Sequence, residues 1–74
     1  MESLQKAGLL IAMLRLGTFD SMTLAARYRA DYDTHIDHHT AGAYADELRC
    51  EGKLEIIPNN SEFTTYQVMT RDLI

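Results

Sequence analysis

The stretch IDHHTAGAYADELRCEG, residues 36–52, decides the fold. Asp37 is a favourable N-cap for a helix, and Ile36 and Ala41 occupy the two positions of a hydrophobic staple around it. A glycine closes the stretch, where helices commonly end. The apolar residues recur three or four positions apart, as on the buried side of an amphipathic helix: Ala41, Tyr44, Ala45 and Leu48. The sequence therefore predicts a helix over about 37–51.

A first helix is predicted near the start of the chain, over about 3–16. Its apolar residues again fall at helical spacing, and Gly17 stands where a left-handed C-terminal cap belongs. We expect the buried stripe to consist of Leu4, Ala7, Ile11 and Leu14, widened by Leu10 and Met13.

A second helix is predicted over about 21–30, after a short connection at residues 18–21. Asp20 or Ser21 can cap its start, and its apolar side consists of Leu24, Ala25 and Tyr28. The polar residues 31–34 that follow form either a loop or an extension of this helix.

The apolar period changes to that of strands after the third helix, which predicts a β-hairpin over about 54–69. Leu54, Glu55 and Ile56 alternate in polarity, and residues 59–61 (Asn-Asn-Ser) have the chemistry of a turn. Residues 63–69 are rich in β-branched and aromatic side chains, with Tyr66 and Val68 expected on the inward side.

Length and composition limit the function classes. With 74 residues the chain has room for one domain, 1–74, and its 46% hydrophobic residues exclude a disordered chain. The only cysteine, Cys50, has no internal disulfide partner, and we expect it to be a partly buried small hydrophobic residue. No apolar run approaches the ~18 residues of a membrane span. These features predict a soluble cytoplasmic protein that does not bind membranes.

The order of helix, helix, helix and hairpin resembles the winged helix-turn-helix family. SMTLAARY (21–28) looks like the second helix of such domains, and residues 36–57 look like the recognition helix running into the first strand of the wing. LRCEGKL (48–54) resembles the family's L-x-x-x-G-x-[LI] step, and PNNSEFTTYQV (58–68) looks like the wing. The resemblance implies an α+β, mainly α, fold. It also implies a DNA-binding transcriptional regulator, with a homodimer as its expected form. Residues 29–35 form a longer connection than is usual, so either the second helix is extended or a loop is inserted.

Two functions remain open on these residues, and the first is binding of double-stranded DNA. The recognition helix would present His38, His39, Thr40 and Ala43 to the bases. Phosphates would be contacted by Arg27, Arg29, Arg49, Lys53, Asn60 and Thr64. The net charge of −4 opposes this function, and so does the absence of Arg, Lys, Asn and Gln from the third helix before Arg49.

The alternative is a protein-binding adaptor or inhibitor that docks a basic partner. Small residues on the third helix let another chain approach closely, and acidic flanks suit a basic surface. The residues proposed for this role are Gly42, Asp46 and Glu47. Residues 41–43 span most of the helix circumference, so they cannot all belong to the core.

Metal binding and catalysis have weaker support in the sequence. Residues 31–39 (DYDTHIDHH) concentrate histidine and aspartate, and His35 and His39 would share a helical side if the third helix began early. A polar helix-entry loop accounts for the same residues, so no metal ligand is assigned. The chain has no phosphate-binding loop, nucleophile elbow or metalloprotease motif, so we expect neither an enzyme nor a cofactor.

Overall fold

The computed structural model describes residues 3–60 and 62–69. Its elements in chain order are α1 (Ser3–Leu16), β1 (Thr18–Asp20), α2 (Ser21–Tyr32), α3 (His38–Cys50), β2 (Leu54–Ile57) and β3 (Thr65–Val68). The predicted α+β, mainly α, fold is confirmed, with three helices followed by a hairpin in a winged-helix-like topology. No helix in the described ranges is long and apolar enough to cross a membrane.

The sheet contains a strand that the sequence did not predict. Its order is β1-β3-β2, both pairings are antiparallel, and Tyr66 is the partner of both Phe19 and Ile56. The prediction of a simple connection at residues 18–21 is therefore wrong. Gly17, at φ +74°, ends α1 and leads the chain directly into β1, and its carbonyl accepts a hydrogen bond of 2.9 Å from the Val68 N–H.

The buried side of α1 differs from the predicted stripe. Met13 is fully buried as predicted, but so are Leu9 and Ala12, which were not in the stripe, whereas Leu4 is 85% exposed and Ala7 is exposed as well. The prediction failed because α1 is apolar almost all round, so helical spacing alone does not determine which side faces the core. Leu10 and Leu14 are partly buried and pack against the core from its edge.

The long connection between α2 and α3 is explained by an extension of α2, which reaches Tyr32 rather than ending near residue 30. Asp33 caps it in the left-handed region at φ 49°, and its N–H donates to the Arg29 carbonyl at 2.9 Å. The rings of Tyr28 and Tyr32 lie 5.0 Å apart, and both approach Gly8 of α1. Packing on α1 therefore holds the added turn, and residues 33–37 remain as the link to α3.

The predicted buried sides of α2 and α3 are confirmed. The buried residues on these two helices are Leu24, Ala25, Tyr28, Ala41, Tyr44, Ala45 and Leu48. Ile36, just before α3, is 3% exposed and joins the same core. Tyr66 and Val68 lie on the inward side of the sheet as expected, Tyr66 buried and Val68 partly so. The core thus fixes one side of α3 and leaves the other side toward solvent.

Candidate functional site

The first turn of α3 presents two histidines. Asp37 occupies the N-cap position in an extended conformation, but its side chain accepts no capping hydrogen bond within the described part of the chain. Its Oδ1 instead lies 3.6 Å from Nδ1 of His38. His38 is half-buried and His39 is exposed, and their ring centroids are 4.1 Å apart. The two imidazoles therefore form a contiguous polar aromatic surface at the start of α3.

The described residues of the loop between β2 and β3, 58–60 and 62–64, are called the wing loop below and close one side of this surface. The Phe63 ring meets His38 edge-on, with centroids 5.9 Å apart and an interplanar angle of 88°. Between α3 and the wing loop lies an open groove of about 280 Å³. It is lined by Ser21, His38, His39, Gly42, Glu62, Phe63, Thr64 and Tyr66. None of these lining residues is a lysine or an arginine.

Gly42 has a packing role in this groove. A Cβ built on Gly42 would lie 3.0 Å from Cβ of Ser21, at the start of α2. The glycine therefore permits the close approach of α3 to α2, in addition to lining the groove. Ala41 is buried, Gly42 is half-buried and Ala43 is exposed, so the three small residues do divide between core and surface.

Three of the four cations predicted to contact phosphates lie against carboxylates of the protein itself. Arg27 Nε is 3.2 Å from Asp31, which Arg15 also contacts at 3.1 Å. Arg49 Nε is 2.8 Å from Asp46, and Lys53 Nζ is 3.3 Å from Glu51. Arg29 differs, because its Nε donates to the Ala25 carbonyl at 3.4 Å. Such exposed pairs add little stability, but each places a negative charge where a phosphate would have to come.

The acidic residues of α3 lie on two different sides of the helix. Asp46 faces the sheet: burial raises the pKa of Tyr66, and the nearby Asp46 charge raises it further. Glu47 faces α1, where it lines a shallow depression of about 210 Å³ with Lys6, Ala43 and Tyr44. Burial again raises the pKa of Tyr44 most, followed by the charges of Glu47 and Glu51.

The predicted site residues are only partly brought together. The groove unites His38, His39, Gly42 and Thr64, while Thr40 is half-buried on α3 and Asn60 is exposed in the wing loop. The four predicted phosphate-binding cations do not line the groove. Sequence reasoning missed Ser21, Glu62 and Phe63 as groove residues. An aromatic residue with an adjacent acid in the wing was a usable signal, whereas the contribution of Ser21 depends on the packing of α2 against α3.

Cys50 is exposed, so its predicted partial burial is wrong. It lies at the last position of α3, beyond the buried stripe, and Arg49 Nη2 approaches its Sγ at 3.5 Å. Across residues 3–60 and 62–69, no group of three or more His, Cys, Asp or Glu side chains is placed to hold a metal ion.

No known family model, curated protein or solved structure matches this chain significantly.

Proposed function

We propose that this protein is a small winged-helix-like interaction module that binds a basic protein partner through α3. The observation that carries the proposal is the pairing of Arg27, Arg49 and Lys53 with the protein's own carboxylates. Binding to duplex DNA gains most of its non-specific affinity from cations that neutralise phosphates and release counterions. The chain has only seven Lys and Arg residues against eleven Asp and Glu residues. A cation that is already paired must also give up its carboxylate before it can bind a phosphate.

The exposed chemistry of α3 also suits a protein surface better than base edges. Specific contacts to bases typically use Arg or Lys to guanine and Asn or Gln to adenine. The first half of α3 offers His38, His39, Thr40 and Ala43 instead. The small Ala43 lets another chain approach closely, and exposed Glu47, one helical turn along the same side, provides a charge that orients a basic partner. Asp46 adds to this charge where a partner's cation replaces Arg49 as its ion-pair partner.

The direct test is capture of partners by immobilised protein, followed by mass spectrometry. We expect the wild type to retain basic proteins and the variant Asp46→Lys/Glu47→Lys to lose them. Single variants supply the matched control, because Glu47→Lys and Glu55→Lys change the net charge equally and Glu55 lies away from α3, on the outer side of β2. Equal loss in both single variants, or unchanged capture by the Asp46/Glu47 variant, would contradict the proposed surface.

Binding of duplex DNA is the second candidate, and one observation favours it. The start of α3 and the wing loop border the same groove, as a reading helix and a wing would do on DNA. Arg29 would then supply a phosphate contact, and a homodimer would double the few contacts that each chain makes.

Fluorescence anisotropy with a random-sequence duplex separates the two candidates. DNA binding predicts measurable affinity at low salt, a steep loss of affinity as salt rises, and a weaker complex for Arg29→Ala. The protein-binding proposal predicts no such complex at low salt and neutral pH. Salt-dependent binding of the duplex by the wild type would overturn it.

A further inference from the structure

The groove between α3 and the wing loop has a largely aromatic wall. The rings of His38 and His39 are in contact at an interplanar angle of 37°, Phe63 meets His38 edge-on, and the buried Tyr66 lies below them. Its volume of about 280 Å³ falls just below the ~300–1,000 Å³ typical of pockets for small-molecule ligands. A groove of this size and openness has room for a single long side chain from a partner.

The charges around the groove favour a cation at neutral pH. With histidine counted as neutral, Glu62 carries a formal negative charge and the other lining residues carry none. Asp37 lies beside His38, whereas Asp46, one helical turn after Gly42, is already paired with Arg49 at 2.8 Å. The N-terminus of α3 carries the equivalent of about half a positive charge, which disfavours a cation. The full charges of Glu62 and Asp37 outweigh it.

We propose that this groove binds an arginine side chain of the partner protein, an inference that rests on the proposed protein-binding function. A guanidinium is planar, stacks on aromatic faces and pairs with a carboxylate through two parallel hydrogen bonds. The groove offers both features, in the rings of His38 and Phe63 and in the carboxylate of Glu62. Lysine fits less well because its ammonium is compact, strongly hydrated and lacks the planar fork.

The test is an NMR titration of the ¹⁵N-labelled protein with a blocked hexa-arginine peptide and, separately, a hexalysine peptide. At neutral pH and moderate salt we expect the largest amide shifts at His38, His39, Gly42, Phe63 and Thr64. We expect hexa-arginine to bind at least about threefold more tightly than hexalysine, because only the guanidinium gains stacking and bidentate pairing.

Two variants with the same change in charge make the test specific. Glu62→Gln should weaken hexa-arginine binding at least about threefold, whereas Glu55→Gln, on the outer side of the sheet, should change it much less. Equal weakening by both would show general attraction to an acidic protein and overturn the inference. Larger groove shifts with inorganic phosphate or duplex DNA than with hexa-arginine would also overturn it, since they identify an anion site.

The failure of this inference is distinguishable from failure of the proposed function. Peptide shifts confined to the surroundings of Asp46 and Glu47 contradict the groove as the arginine site, yet they leave α3 as the docking helix. Salt-dependent binding of duplex DNA in the anisotropy assay contradicts the proposed function itself.

Discussion

Gly8 is the residue that sets the distance between α1 and α2. A Cβ at this position would lie 2.8 Å from Cε2 of Tyr28 and 3.2 Å from Cε2 of Tyr32. Tyr28 is buried and has little space to withdraw. Overpacking costs about 1–3 kcal/mol, whereas alanine gains at most about 1 kcal/mol over glycine in helix propensity. We therefore expect Gly8→Ala to lower the free energy of unfolding by about 1 kcal/mol, measured by urea denaturation.

A double-mutant cycle with Tyr28→Leu shows whether the ring is the cause. If it is, the penalty of Gly8→Ala should shrink when the smaller leucine replaces the ring, so the two changes should not be additive. An additive cycle would contradict the steric explanation, because the alanine would then cost the same without the aromatic ring.

Tyr66, which lines the groove, should affect how the free energy of unfolding falls at alkaline pH. Burial, aided by Asp46, raises the pKa of its hydroxyl above 10.0 in the folded protein. The folded chain therefore keeps a proton that the unfolded chain has lost, so this contribution is complete below pH 10.0 and falls as pH rises through the folded pKa. Tyr66→Phe should flatten the fall in the free energy of unfolding above that pH. An equally steep fall in the variant would contradict this assignment.

The N-caps of α2 and α3 provide a matched comparison at the level of elements. Asp20 Oδ1 accepts a hydrogen bond of 2.8 Å from the Thr23 N–H, whereas the Asp37 side chain accepts no capping bond among the described residues. Loss of a functioning cap typically costs about 1 kcal/mol. We expect Asp20→Ala to destabilise the protein by about that amount and Asp37→Ala to cost clearly less, by thermal denaturation. Equal costs would show that the cap bond at Asp20 contributes nothing specific.

The strand β1 should be as important to the fold as its longer neighbours. Phe19 is 3% exposed and stacks on Tyr66 with centroids 5.8 Å apart. Truncation of a buried phenylalanine costs about 3–5 kcal/mol. We expect Phe19→Ala to unfold much of this small protein at room temperature, and the exposed Thr18→Ala in the same strand to change its stability by less than about 0.5 kcal/mol. Circular dichroism distinguishes the two, and a folded Phe19→Ala variant of unchanged stability would contradict a structural role for β1.

The elements also show what the sequence could and could not predict. The buried sides of α2 and α3 could be predicted because polar residues occupy much of the rest of each helix, so the apolar residues mark a single side. The buried side of α1 could not, because Leu4 and Leu9 lie in a helix that is apolar almost all round. The short β1 gains its structure from pairing with β3, a contact across some fifty residues of sequence that no local pattern specifies. The groove depends in the same way on Ser21 and Phe63, which tertiary packing brings to α3.

For the whole molecule, topology and charge favour different partners. The winged-helix-like arrangement leaves the outer side of α3 beside the wing loop, and the DNA-binding candidate depends on that arrangement. The net charge of −4 and the paired cations are unsuited to phosphate. If charge rather than shape prevents DNA binding, replacing acids near the groove should create it.

The variant Asp46→Lys/Glu62→Lys tests this separation of shape from charge. It removes two acids near α3 and breaks the Arg49–Asp46 pair. It adds one cation in the groove, at residue 62, and one on α3 a helical turn beyond Gly42. We expect it to bind a random-sequence duplex at low salt at least about tenfold more tightly than the wild type, with affinity falling steeply as salt rises. Glu47→Lys/Glu55→Lys carries the same net charge, but it should gain much less because Glu47 faces α1 and Glu55 lies on the outer side of β2. Equal gains in the two variants would mean that total charge alone controls binding and that the winged-helix-like surface does not direct it.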